Sequence, residues 1–170
     1  MKLCLLLTML LVSTTAHAAE PFTNQLAIHL LADREAWVSI RTIKPYGLDL
    51  IAKPVVSDAD FVAFDVTNQT FTTTADAAQR LNGLFNTSLQ PIAFVLVASG
   101  EPIYVGMLEP EFKAYYFNFN VPVVRTDPSV HTNGVFRIEM TPNKLPQETN
   151  VLNDPRIISA VQKIFAQEKQ

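Results

Sequence analysis

Three residue combinations in this chain could carry chemistry: a histidine near a carboxylate, a serine before a glycine, and two closely spaced aspartates. A serine nucleophile needs a sharp turn, usually Gly-x-Ser-x-Gly, with histidine and acid partners. Ser99-Gly100 lacks the flanking glycines, and this pair is ordinary punctuation for a tight hairpin turn. His131 stands near Asp127 in a stretch rich in turn formers, but a metal or general-base centre needs more converging groups. His29 alternates with the apolar residues of its segment and is expected on the wet face of a strand. Ser57-Asp58-Ala59-Asp60 lacks the glycine and the further oxygen ligands of a calcium loop, so these side chains are expected to cap backbone donors. The five glycines are isolated, which leaves no phosphate-cradling loop. No catalytic, cofactor-binding or metal-binding residue is assigned, and the chain reads as non-enzymatic.

Binding is the remaining class. Aromatic side chains supply large contact area with a polar tip, and Trp37, Tyr104, Tyr115 and Tyr116 are the candidate partner-binding residues. Tyr115 and Tyr116 are neighbours in an extended aromatic stretch, Phe112 to Val121, so they are expected on opposite faces, at least one of them outward or at an interface. Core packing is the alternative use of Phe117 and Phe119. Composition narrows the partner. Of 170 residues, 48% are hydrophobic and 17% charged, and the formal charge is −3. A packed core is available, whereas the basic face that nucleic acid or an anionic membrane surface requires is not. Beyond a globular domain with a packed core, composition names no partner.

The first residues read as an address. Met1-Lys2 begins a positive start, Leu3 to Val12 is apolar, and Ala16-His17-Ala18 is a small-residue cleavage site. A signal peptide over 1–18 is expected, with a single domain over 19–170 and a periplasmic or secreted location. The apolar run is too short for a bilayer, and no other run is long enough, so no integral membrane segment is expected in the mature chain. Cys4, the one cysteine, lies inside this leader, so the exported protein is expected to fold without a disulfide.

Elements follow from periodicity. Leu26 to Leu31 alternates as a strand, Val38, Ile40 and Thr42 as a second, and Leu48 to Ile51 as an extended piece ended by Lys53-Pro54. Phe61 to Val66 predicts a strand running on toward Phe71. Thr73, three residues before Asp76, predicts a helix start, and Ala77, Ala78, Leu81, Leu84 and Phe85 give its apolar face. Pro91 to Val97 is apolar throughout, as in a strand buried on both faces, and Ser99-Gly100 returns it antiparallel through Pro102 to Leu108. Pro122 to Asn133 reads as a loop and Val135 to Met140 as the last strand, with Phe136, Ile138 and Met140 inward. Asp154-Pro155 opens a helix over about 154–168 with Ile157, Ile158, Val161, Ile164 and Phe165 as its stripe. The fold class is α+β, with a mainly antiparallel sheet packed against two helices.

The order of pieces carries a resemblance. Lys53-Pro54-Val55-Val56-Ser57-Asp58-Ala59-Asp60 precedes a strand ending at Phe71-Thr72, then Thr74-Ala75-Asp76-Ala77-Ala78-Gln79-Arg80-Leu81. Pro91 to Ile103 and Leu108-Glu109-Pro110 follow. This run, with Ile28 to Ala32 as the opening strand, resembles the head subdomain of the first periplasmic domain of SecD, an accessory subunit of the bacterial protein-export machine. The likeness spans Leu26 to Pro110, with a head-like core expected over about 26–125. It departs at Ser99-Gly100, where the family has Asp-Gly, at Tyr104-Val105-Gly106-Met107, and at the aromatic Phe112 to Val121 in place of a glycine-rich strand. The family's transmembrane helices do not accompany the domain. The resemblance implies a free-standing head-like domain, linked to protein export, that binds unfolded or extended polypeptide. A structural subunit of an envelope or secretion assembly, or a small periplasmic hydrolase, are the alternatives.

Overall fold

A computed structural model describes residues 24–33, 35–65, 70–109, 121–125, 134–140 and 154–167 of the chain. The expected signal peptide, Tyr115, Tyr116, His131 and the aromatic stretch before Val121 lie outside the described residues. Seven strands form one sheet: β1 Leu26–Leu30, β2 Phe61–Asp65, β3 Thr70–Thr73, β4 Ile92–Ala98, β5 Glu101–Leu108, β6 Pro122–Arg125 and β7 Val135–Met140. Their order is β1-β4-β5-β6-β7-β3-β2, with every pairing antiparallel except β5 with β6. Among the described residues two α-helices, α1 Ala75–Thr87 and α2 Pro155–Gln167, join the sheet in a mixed fold.

β4 is the strand its composition predicts: all seven residues are buried, between β1 and β5. Its alternate side chains serve two cores. Phe94 and Leu96 join Leu26, Ile28, Leu81 of α1 and Ile157 of α2 on one face. Ala93, Val95 and Val97 join Ala27, Met107 and Val123 on the other. The β4–β5 hairpin closes through Ser99 (φ 53°) and Gly100 (φ 79°), both left-handed, which is the type I′ geometry that matches strand twist. Helix α2 starts as expected, with the Asp154 carboxylate accepting from the Arg156 amide at 2.9 Å and Pro155 in the first turn.

Five expectations are corrected. Ala36 to Thr42 is a 3-10 helix, not a strand through Val38, because Ala36 and Ile40, four apart, both turn onto the second core. That helix covers the face on which His29 was expected to meet water, and His29 is only 3% exposed. The Phe61-to-Phe71 segment is two antiparallel strands, β2 and β3. Helix α1 is capped by Thr74, whose hydroxyl accepts from the Ala77 amide at 3.4 Å; Thr73 ends β3 and donates to the Gly134 carbonyl instead. Finally, Pro122–Arg125 is a strand rather than loop. Proline is tolerated at its first residue, and its partners on β5 and β7 are remote in sequence. Phe136 and Ile138 of β7 are buried as expected, while the Met140 side chain lies outside the described residues.

Candidate functional site: the two ends of the sheet

The two sheet edges are treated differently. Along β1, the outward backbone groups are taken by residues 49–58 of the same chain. Ala32 N–H donates to the Asp49 carbonyl (2.9 Å) and Ile28 N–H to that of Val56 (2.9 Å). The Ile51 and Val55 amides donate back to Leu30 (2.9 Å) and Ile28 (2.8 Å). Asp58 completes the edge, its carboxylate accepting from the Gln25 amide at 2.8 Å and the Leu26 amide at 2.6 Å. A capping role for this acid was expected, but the donors lie over thirty residues upstream rather than in its own turn.

β2 is the other edge. Among the described residues it pairs with β3 alone, and its register breaks between Phe61 and Ala63. That irregularity lets Phe61 stay buried, edge-on to Phe71 with ring centres 5.7 Å apart, while Val62 and Ala63 in succession face solvent. Val62 is 53% exposed, the one large apolar side chain of a described strand left so open.

The start of β2 is bolted down. Ser57 opens a short 3-10 turn, Asp58–Asp60, and its amide and hydroxyl both donate to one Asp60 oxygen, at 2.8 and 2.9 Å. Arg80 on α1 reaches the other Asp60 oxygen at 2.7 Å and donates to the Val55 carbonyl at 3.1 Å. The Thr74 amide, just before α1, donates to the Asp60 carbonyl at 2.9 Å. Partial burial alone raises the Asp60 carboxyl, but the Arg80 and Ser57 hydrogen bonds outweigh it and hold the group below the ordinary carboxylate range. A depressed folded value contributes stability that is fully present above the unfolded value near 3.8 and is lost as pH falls below it and through the lower folded value. The stability difference between the wild type and Asp60→Asn is therefore expected to shrink as pH falls from 6 to 3, read by urea unfolding at each pH.

A second ion-pair group joins β5, β6 and β7. Glu109, 7% exposed, accepts from Arg125 Nε at 2.7 Å, and Glu139 lies 3.2 Å from Arg137 and 3.8 Å from Arg125. Two guanidiniums stand opposite each other across β6 and β7, and the two carboxylates balance them.

Of the expected binding residues, Trp37 is half-buried against the second core, and Tyr104 belongs to the first, 4% exposed with its ring edge-on to Phe94. They lie on opposite faces and share no surface. Burial also raises the Tyr104 phenol well above its ordinary range, so it stays protonated. His29 Nδ1 lies 3.2 Å from the Ile51 carbonyl, and since a carbonyl only accepts, that nitrogen carries the proton. Among the described residues no group of three or more His, Cys, Asp or Glu side chains converges to hold a metal, and no helix is long and apolar enough to cross a membrane. The geometry on offer is backbone donors and acceptors at a strand edge beside exposed Val62. Periodicity marked Phe61 to Val66 as a strand; its position at the end of the sheet had no signal in the sequence.

Compared with family models, curated proteins and solved structures, the chain matches none.

Proposed function

We propose that this is an exported, non-enzymatic domain of the periplasm or extracellular space that binds a protein partner in extended form, by adding the partner as a strand beside β2. The observation that carries it is the contrast between the edges. Soluble proteins blunt exposed edges because these recruit other strands; here one edge is covered by the chain's own segment 49–58, and the other presents Val62 and Ala63. Main-chain hydrogen bonds would give affinity and alternate side chains selectivity. The SecD-like order of segments supports the same reading and suggests a link to protein export.

The test is fluorescence anisotropy with a labelled, reduced and alkylated unfolded polypeptide. Wild-type protein is expected to bind, and Val62→Lys to weaken binding about tenfold, since a lysine on an edge strand deters pairing. Surface replacement of this kind changes stability by about 0.5 kcal/mol or less, so the melting temperature should hold. No binding by the wild type would reject the function. Equal binding by Val62→Lys would reject the edge.

A further inference from the structure

The strap formed by residues 49–58 closes the β1 edge, and the register of β3 shows which backbone groups β2 leaves open. Thr73 N–H donates to the Gly134 carbonyl at 2.8 Å, so Thr73 faces β7 and away from β2. Antiparallel residues alternate, which turns Thr72 and Thr70 toward their β2 partners, Ala63 and Asp65. The backbone groups of Phe64, opposite Phe71, therefore point out of the sheet edge. At the start of the strand the Phe61 N–H is taken by the Asp58 carbonyl, and the register breaks before Ala63. Past that break, Phe64 is the residue at which an added strand can both donate and accept.

Around Phe64 the strand is self-complementary. An antiparallel copy centred there sets Phe64 against Phe64, exchanging two hydrogen bonds, and sets Ala63 against Asp65 on both sides of the axis. The two Phe64 side chains, each packed on its own first core, meet across the seam. The exposed Asp65 carboxylate falls opposite the methyl group of Ala63 rather than another carboxylate, and Asp60 is already paired with Arg80. Edges that resist self-pairing carry lysine or proline; Phe61 to Asp65 has neither.

We infer that β2, when no other polypeptide holds it, pairs with β2 of a second copy in a two-fold dimer that joins the two sheets into one. The inference rests on the reading of β2 as the open, polypeptide-binding edge and adds its regulation. Dimer and bound polypeptide exclude each other, so the concentration of the domain sets how much edge is free. A ladder this short buries less than the roughly 1,200 Å² of a stable interface, so the dimer is weak and an extended partner displaces it.

Analytical ultracentrifugation of the exported protein from about 10 µM to about 1 mM reads the dimer. Ala63→Glu and Ala63→Lys read its register, because position 63 is exposed and the two-fold axis sets each new charge beside Asp65 twice. Like charges repel across a strand pair and opposite charges attract, so Ala63→Glu is expected to weaken the dimer about tenfold and Ala63→Lys to tighten it. The Phe64 amide should exchange more slowly as concentration rises, while the Ala63 and Asp65 amides, turned to β3, hold constant. A chain monomeric to about 1 mM overturns the dimer, and weakening by both charges overturns the register. Excess unfolded polypeptide should convert dimer to monomer; a dimer that persists with polypeptide bound overturns the shared edge. Polypeptide binding by a chain that never dimerises removes the dimer and leaves the proposed function, whereas a dimer that binds no polypeptide rejects the function and leaves the pairing.

Discussion

Gly106→Ala is expected to destabilise the domain by about 3 kcal/mol, the upper end for overpacking a well-filled core. Gly106 lies directly opposite Phe94 in the β4–β5 register. A Cβ there would sit 2.4 Å from Cζ of the Phe94 ring and 2.8 Å from the Pro122 carbonyl oxygen. Neither can yield easily: Phe94 is fully buried and edge-on to Tyr104, and Pro122 is backbone of a strand fixed by β7. The missing side chain is thus a space that the ring fills. For a domain of this size each kcal/mol moves the melting temperature by about 2–4 °C, so a fall of about 10 °C is expected by calorimetry. Phe94→Leu combined with Gly106→Ala should lose less than the sum of the two single losses, because the smaller side chain relieves the clash. Strict additivity would show that the ring does not define the glycine requirement.

Asp58→Ala is the second large effect, about 2–3 kcal/mol. Hydrogen bonds to a charged group contribute about 1.5–3 kcal/mol, and a buried donor left without its acceptor costs its own desolvation. Asp58 accepts from two amides, and one of them belongs to Leu26, 1% exposed at the start of β1. Asp58→Asn keeps one acceptor oxygen and should recover part of the loss. Urea unfolding of the three proteins at pH 7 measures both. The loss should be local in origin as well: in Asp58→Ala the amides of Gln25 and Leu26 should exchange faster than those of β4. A stability within 0.5 kcal/mol of the wild type would mean that the β1 edge is held by the strap's backbone alone.

These two residues show how function and stability divide. Gly106 serves the core between the covered strands, whereas Asp58 and Asp60 serve the joints where strap, short turn and β2 meet. The proposed binding edge is therefore held at its start by polar contacts of a few side chains together with the buried Phe61 ring. Arg80 is the shared element, since it touches both the strap at Val55 and the start of β2 at Asp60.

What the sequence determined by itself was local: the apolar run that had to be a central strand, the Ser99-Gly100 turn, the stripe of α1 and the Asp154-Pro155 start of α2. Each is set by side-chain periodicity, backbone freedom or capping within a few residues, and the structure keeps each one. Tertiary structure alone decided the parallel pairing that makes Pro122–Arg125 a strand, the burial of His29, and the insertion of β7 between β6 and β3. It also decided which edge is covered. Pairing energy depends on which backbones become neighbours, and partners as far apart as Thr70 and Arg137, or joined in parallel like Met107 and Val123, leave no local period to read. The same four residues, Ser57 to Asp60, could cap any nearby donors; only the curl of the chain brought the amides of Gln25 and Leu26 to Asp58 and left β2 outermost.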